Sequence, residues 1–187
     1  MLSKHRRSRM RAKKSTLRCE ALEDRRVLAT FTVGSLADAG DAVPGDGACD
    51  TGGGQCTLRA AIEEANALAG ADDINFSVAG TVNLTSGALN ISSDVSVDGA
   101  NSVTVDGGGT ARVMDITGGT VSLANITLTN GAATEGGGIN SSADVTLSGV
   151  TVSNSRAQNF GGGIFNSGTM SLTNNSLVTG NSAGTTM

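Results

Sequence analysis

The sequence predicts an all-β chain wound as a parallel β-solenoid, with several short strands in each coil of 24–25 residues and one α-helix ahead of the first coil. Three observations lead there. Gly-Gly-Gly-Ile stands at residues 136–139 and returns at residues 161–164, a step of 25. Val121 and Leu123 recur as Val145 and Leu147, 24 residues on, and as Met170 and Leu172, 25 further; Ile126 and Leu128 return as Val150 and Val152. From Ile74 onward apolar and polar residues alternate in short runs, each closed by Gly, Asn, Asp or Ser. Period two is the strand signature, and the closing residues are turn formers. Stacked coils account for such a repeat, whereas a leucine-rich repeat needs a Leu-x-x-Leu-x-Leu-x-x-Asn ladder that is missing here. Composition agrees. With 27 Gly, four Phe and neither Trp nor Tyr, the core must come from Val, Leu, Ile and Ala, which suits tight repetitive β packing.

The first segment, residues 1–29, is a basic head. Residues 1–26 hold ten Lys and Arg against Glu20, Glu23 and Asp24, a balance of +7. The remainder carries Arg59, Arg112 and Arg156 against fourteen acids, a balance of −11, which restores the −4 of the whole chain. An acidic body is a poor partner for phosphate backbones, so no nucleic-acid partner is expected of the folded part. The head reads as a sorting segment or a disordered basic run, with a nucleic-acid arm as the rival reading. Acids and arginines interrupt every apolar run in it, so it is no ordinary secretory signal, and no stretch is long enough for a transmembrane helix. Leu22, Glu23, Asp24, Arg25 and Arg26, at the centre of residues 17–29, resemble a short N-terminal motif of many extracellular proteins of planctomycete bacteria. That resemblance implies export and an extracellular or cell-surface destination.

Residues 30–73 read as an N-terminal cap. Cys49 and Cys56 bracket Asp-Thr-Gly-Gly-Gly-Gln, a loop flexible enough to bring their Cα atoms within disulfide range. Outside the cytoplasm, where the motif points, a disulfide is expected. A zinc-binding pair and two free buried thiols are the alternatives, the first weakened by the lack of a nearby His or second cysteine pair. A helix is expected over residues 57–69, because Leu58, Ala61, Ile62, Ala65 and Leu68 fall on one face, Thr57 can cap its start and Gly70 can end it. Such a helix covers the open end of a first coil. The cysteines, Cys-Thr-Leu-Arg-Ala-Ala-Ile-Glu-Glu-Ala-Asn-Ala and the following Ala-Asp-Asp-Ile-Asn-Phe resemble the N-terminal module called the CSLREA domain. Thr57 and Ala60 depart from its signature, while the spacing beyond it is kept.

Residues 74–187 are expected to form the coils. Coils lie about 4.8 Å apart, so equivalent residues stack. Gly136, Gly137 and Gly138 are therefore expected beneath Gly161, Gly162 and Gly163, at a corner needing positive φ, with Ile139 beside Ile164. Asn130, Asn140, Asn154 and Asn166 are expected at the other corners. The last rung, around Leu177 and Val178, is displaced by one residue. A third glycine triplet falls due near residue 186, so the sequence is expected to stop in mid-coil, with end-to-end self-association at the open face. The glycine triplets, with Leu-Thr-Asn and Val-Ser-Asn before them, resemble the repeats of polymorphic outer-membrane-type proteins and other pectate-lyase-like β-helices. The resemblance implies a right-handed β-helix with three parallel sheets.

Three sets of residues could carry catalysis or bind a metal. Lyase chemistry needs a base, and Arg59, Arg112 and Arg156 are the body's candidates, each expected to be a solvated residue of the cap helix or a turn. Hydrolysis needs two carboxylates at a set separation, for which Asp98 and Asp106 are the best pair, yet each precedes glycine and reads first as a turn. Asp72 and Asp73 offer too few oxygens for calcium. No cofactor is expected. The residues point to a secreted or cell-surface structural or adhesion module without catalysis of its own, whose Ser, Thr and Asn face contacts a cell-surface polysaccharide or an envelope protein. The alternative, implied by the pectate-lyase-like resemblance, is a polysaccharide lyase or glycoside hydrolase.

Overall fold

The computed structural model describes residues 28–184. The export motif of Leu22, Glu23, Asp24, Arg25 and Arg26 lies outside the described residues. The chain forms a β-solenoid of about five turns in which every strand pairing is parallel. Strand β1 (Thr30–Val33) is followed by a long cap loop and by α1 (Leu58–Ala67). The first full coil holds β2 (Ala71–Phe76), β3 (Gly80–Asn83) and β4 (Leu89–Ile91); the second holds β5 (Asp94–Asp106) and β6 (Met114–Ile116). The third consists of β7 (Thr120–Thr129), β8 (Ala132–Glu135) and β9 (Ile139–Ser141). The fourth divides into β10 (Asp144–Ser148), β11 (Thr151–Ser153), β12 (Arg156–Phe160) and β13 (Ile164–Asn166). The last described coil has β14 (Met170–Thr173), β15 (Leu177–Thr179) and β16 (Ser182–Ala183).

These strands stack into three sheets. The largest has nine strands and carries β1, β2, β5, β7, β10 and β14 along one limb, with β3, β11 and β15 on the other; the long strands β5 and β7 run through both. A four-stranded sheet takes β4, β6, β9 and β13, and a three-stranded sheet takes β8, β12 and β16. The coils are thus less uniform than three strands each: the two limbs are separate strands in the first, fourth and fifth coils, whereas β5 and β7 run through the bend as single strands.

Stacking follows the repeat. Leu89, Met114, Ile139 and Ile164 form one inward ladder at steps of 25 residues. Val97, Leu123, Leu147 and Leu172 form a second, and Val82, Val105, Leu128, Val152 and Val178 a third. Their members are buried through the fourth coil, apart from the part-buried Ile164 at its end, whereas Leu172, Leu177 and Val178 in the last described coil are exposed. The one-residue displacement is present: Leu147 pairs with Leu172, 25 on, but Val152 pairs with Val178, 26 on. Asn174 and Asn175, both with left-handed φ (50° and 61°), absorb the extra residue at a bend that Asn125 (51°) makes alone in the third coil and Gly149 (66°) in the fourth.

Asparagine marks a second bend as well. Asn130 and Asn154 adopt φ of 55° and 51°, and Gly180 takes that place in the last coil. Asn and Gly tolerate this region best. Asn140 and Asn166 depart from expectation, for they lie within β9 and β13 and turn no corner. Asn140 instead donates from Nδ2 to Asp115 Oδ1 at 2.7 Å in the coil before it.

Helix α1 is shorter than the expected 57–69. Thr57 caps it, accepting the Ala60 N–H at 3.1 Å, and the chain turns extended at Leu68. Leu58, Ala61, Ile62 and Ala65 face the core and join it to the first coil.

Candidate functional site

Cys49 and Cys56 are joined as a disulfide, with Cα atoms 5.0 Å apart. The loop around them is organised by carboxylates. Asp50 Oδ1 accepts N–H groups of Gly52, Gly53 and Gly54 at 2.9, 3.1 and 2.6 Å. Glu64, fully buried on α1, accepts from Gly45 at 2.5 Å and also from Gly47, and Glu63 accepts from Asp41 at 2.7 Å. The acids of the cap therefore bind its own backbone. Replacing both cysteines by serine is expected to lower unfolding free energy by about 2 kcal/mol, the loop-closure value for so short a ring. Urea denaturation of wild type and double variant would read it.

The three arginines are less free than the sequence suggests. Arg59 is not a solvated residue of the cap helix: it is 8% exposed and its Nε meets Asp38 Oδ1 at 2.7 Å. Its other nitrogens donate to the carbonyls of Gly87 and Ala88 at 2.7 and 3.0 Å. Asp38 also accepts from the N–H groups of Thr85 and Ser86 at 2.6 and 2.8 Å. Burial by itself would raise the Asp38 pKa. The Arg59 hydrogen bond, the two N–H groups and the Arg59 charge outweigh it and hold the carboxyl below the usual value. Arg112 is not a free solvated residue: it pairs with Asp115 at 2.8 Å and donates to the carbonyls of Glu135 and Gly136. Arg156 starts strand β12 rather than a turn, and donates to Gly109 O at 2.6 Å.

Asp98 and Asp106 do open turns. Asp98 Oδ1 accepts the Ala100 N–H and Asn125 Nδ2, at 2.9 and 3.0 Å. Asp106 Oδ1 accepts the Gly108 N–H and Asn130 Nδ2, at 2.7 and 2.9 Å. Both carboxylates are engaged in joining one coil to the next. Among the described residues, no three His, Cys, Asp or Glu side chains gather where a metal ion could be held, and no helix is long and apolar enough to cross a membrane.

Gly136 and Gly161 make the turn that the triplets were expected to make, with φ of 59° and 61°. The two glycines after each have ordinary φ and serve a different need, close stacking. Gly137 N donates to Gly161 O and Gly138 N to Gly163 O, at 3.3 and 2.9 Å.

One groove remains open on the outer side of β8 and β12, with a volume of about 670 Å³. Ala132, Ala133 and Ala157 line it with small side chains; Thr134, Arg156 and Gln158 add polar groups. Sequence reasoning missed it, because it arises where the loop at Gly109 and Thr110 stands over a sheet that has no strand in the second coil. Comparison with family models, curated proteins and solved structures finds no match to this chain.

Proposed function

We propose that this chain is an exported, non-catalytic structural or adhesion module, in which a CSLREA-like cap closes a pectate-lyase-like β-helix whose outer face contacts a cell-surface polysaccharide or envelope protein. The observation that carries this reading is the outward hydroxyl array of the nine-stranded sheet. Ser96, Ser122, Thr146 and Ser171 form one row, and Thr81, Thr104, Thr127 and Thr151 another. Rows repeat at the coil spacing of about 4.8 Å and present donors and acceptors on a rigid frame. Such a face makes many weak hydrogen bonds to a polymer with its own hydroxyl repeat. The candidate acid and base groups support the same reading from the other side, since Arg59, Arg112, Asp98 and Asp106 all hold the fold's own groups.

Sedimentation with insoluble cell-wall polysaccharide, and turnover assays on pectate and alginate, test the proposal. Retention on polymer without product is expected, and a Thr104→Glu/Thr127→Glu variant should lose retention. Product formation overturns it in favour of the lyase or hydrolase.

A further inference from the structure

Asp72, in β2, is 1% exposed and stands in the inward row beside Val95. Its Oδ1 accepts the backbone N–H of Ala29 at 2.8 Å, and its Oδ2 has no hydrogen-bond partner. A buried carboxylate holding one neutral amide is poorly compensated, since buried charges are normally paired with a counter-charge. Among the described residues no arginine reaches it: Arg59, Arg112 and Arg156 are all committed elsewhere. The group it does face is the nitrogen of Ala29, which is pinned on its other side because Ala29 O accepts the Asp73 N–H at 2.9 Å. Leu28, one residue earlier, is 61% exposed.

We infer that the peptide bond between Leu28 and Ala29 is a processing site, and that Asp72 is the built receptor for the α-ammonium this cut releases at Ala29. Water adds across the amide, catalysed by a leader-removing endopeptidase of the exporting cell; Leu28 leaves with the new carboxylate and Ala29 keeps the new ammonium. The nitrogen already sits at charge-pairing distance from Oδ1. Cleavage turns one neutral donor into a cation with up to three donors, which supplies the missing counter-charge. The basic head leaves, and the acidic body gains a seated terminus that locks β1 onto β2. Of the function proposed above, this inference shares only the export of the chain.

The sequence provides an unusual handle. The last lysine is Lys14, so a chain starting at Ala29 has a single primary amine. In a first experiment the full chain is exported from a bacterial host and the product's mass is measured. A start at Ala29 is expected, and any other start overturns the processing site. The second experiment needs no export. The full chain carrying Arg25→Ile, Arg26→Glu, Val27→Gly and Leu28→Arg is cut in vitro by a protease specific for Ile-Glu-Gly-Arg, which frees Ala29. Melting temperature is expected to rise by about 4 °C on cutting, the scale of one charge-assisted bond in a chain this size. The new amine should react with N-hydroxysuccinimidyl acetate at least about tenfold more slowly in the native protein than in urea, as expected of a group freed only by local opening. Acetylation in urea followed by refolding should return melting to the uncut value, and Asp72→Asn should abolish both rise and protection. An unchanged melting temperature, or an amine equally reactive in both states, overturns the receptor role whether or not Asp72→Asn folds.

Discussion

Replacing Arg59 with methionine is expected to cost about 4 kcal/mol, because it strands the Asp38 carboxylate. The Asp38 side chain is 1% exposed, and without the guanidinium its counter-charge is gone. The two carbonyls of Gly87 and Ala88 lose their donor in the same step. Methionine keeps the apolar volume of the stem, so the loss reports charge and hydrogen bonds rather than a cavity. The pH dependence follows from the lowered Asp38 pKa. A carboxyl depressed in the folded state adds stability that is present above its unfolded value, about 3.9, and is lost as pH falls through the folded value. Wild type should therefore lose stability below about pH 4, and the Arg59→Met variant should show a shallower fall there. Urea midpoints measured between pH 3 and 7 decide it. A cost under 1 kcal/mol would mean that the pair is dispensable to the cap.

That pair also marks where sequence reading stops. The coils were legible because a solenoid repeats its environment: what Leu123 needs, Leu147 needs again, and selection for the same packing leaves a period in the sequence. The cap occurs once and has no second copy to compare with. Arg59 stands 21 residues from Asp38 with an irregular loop between, and no spacing rule joins them. Neither the repeat nor an acid cluster in the sequence gives Arg59 a partner, which suggests a solvated residue, while its place on α1 turns it inward beneath the turn at Gly87. Asp115 was nearer to view, three residues after Arg112. Asn140 and Asn166 show the opposite error. They recur with the repeat, and recurrence alone suggests a bend. Yet a repeating outward position in a strand recurs just as faithfully, and of the four asparagines expected at these corners only Asn130 and Asn154 take the left-handed φ that defines one. The groove beside Arg156 was illegible for a third reason, since it depends on a strand that one coil lacks.

Gly137→Ala is expected to be among the more damaging single methyl additions, at about 4 kcal/mol, the upper range for overpacking. Flexible side chains can move aside for a Cβ; backbone in a stacked coil cannot. A Cβ built at Gly137 would lie 2.2 Å from Arg156 O and 2.6 Å from Gly162 O, so it meets fixed carbonyls of the fourth coil on two sides. Relieving them requires parting the third coil from the fourth, which breaks the Gly137–Gly161 and Gly138–Gly163 hydrogen bonds and pulls Ile139 from Ile164. Gly136 would be hurt for a different reason, its φ of 59°, where alanine costs about 1 kcal/mol in backbone strain before any contact is counted. The pair therefore separates turning from stacking within one triplet. Gly53→Ala is the control. It has open space around the new methyl and no left-handed φ, so it should change stability by less than about 0.5 kcal/mol. Because each coil leans mainly on its neighbours, the Gly137→Ala defect should also split the unfolding transition, releasing the fourth and fifth coils before the capped half. Hydrogen exchange would show this as lost protection at Leu147 and Val152 while Val82 and Ile91 stay protected. Uniform loss along the chain would mean instead that the coils fold as one indivisible unit.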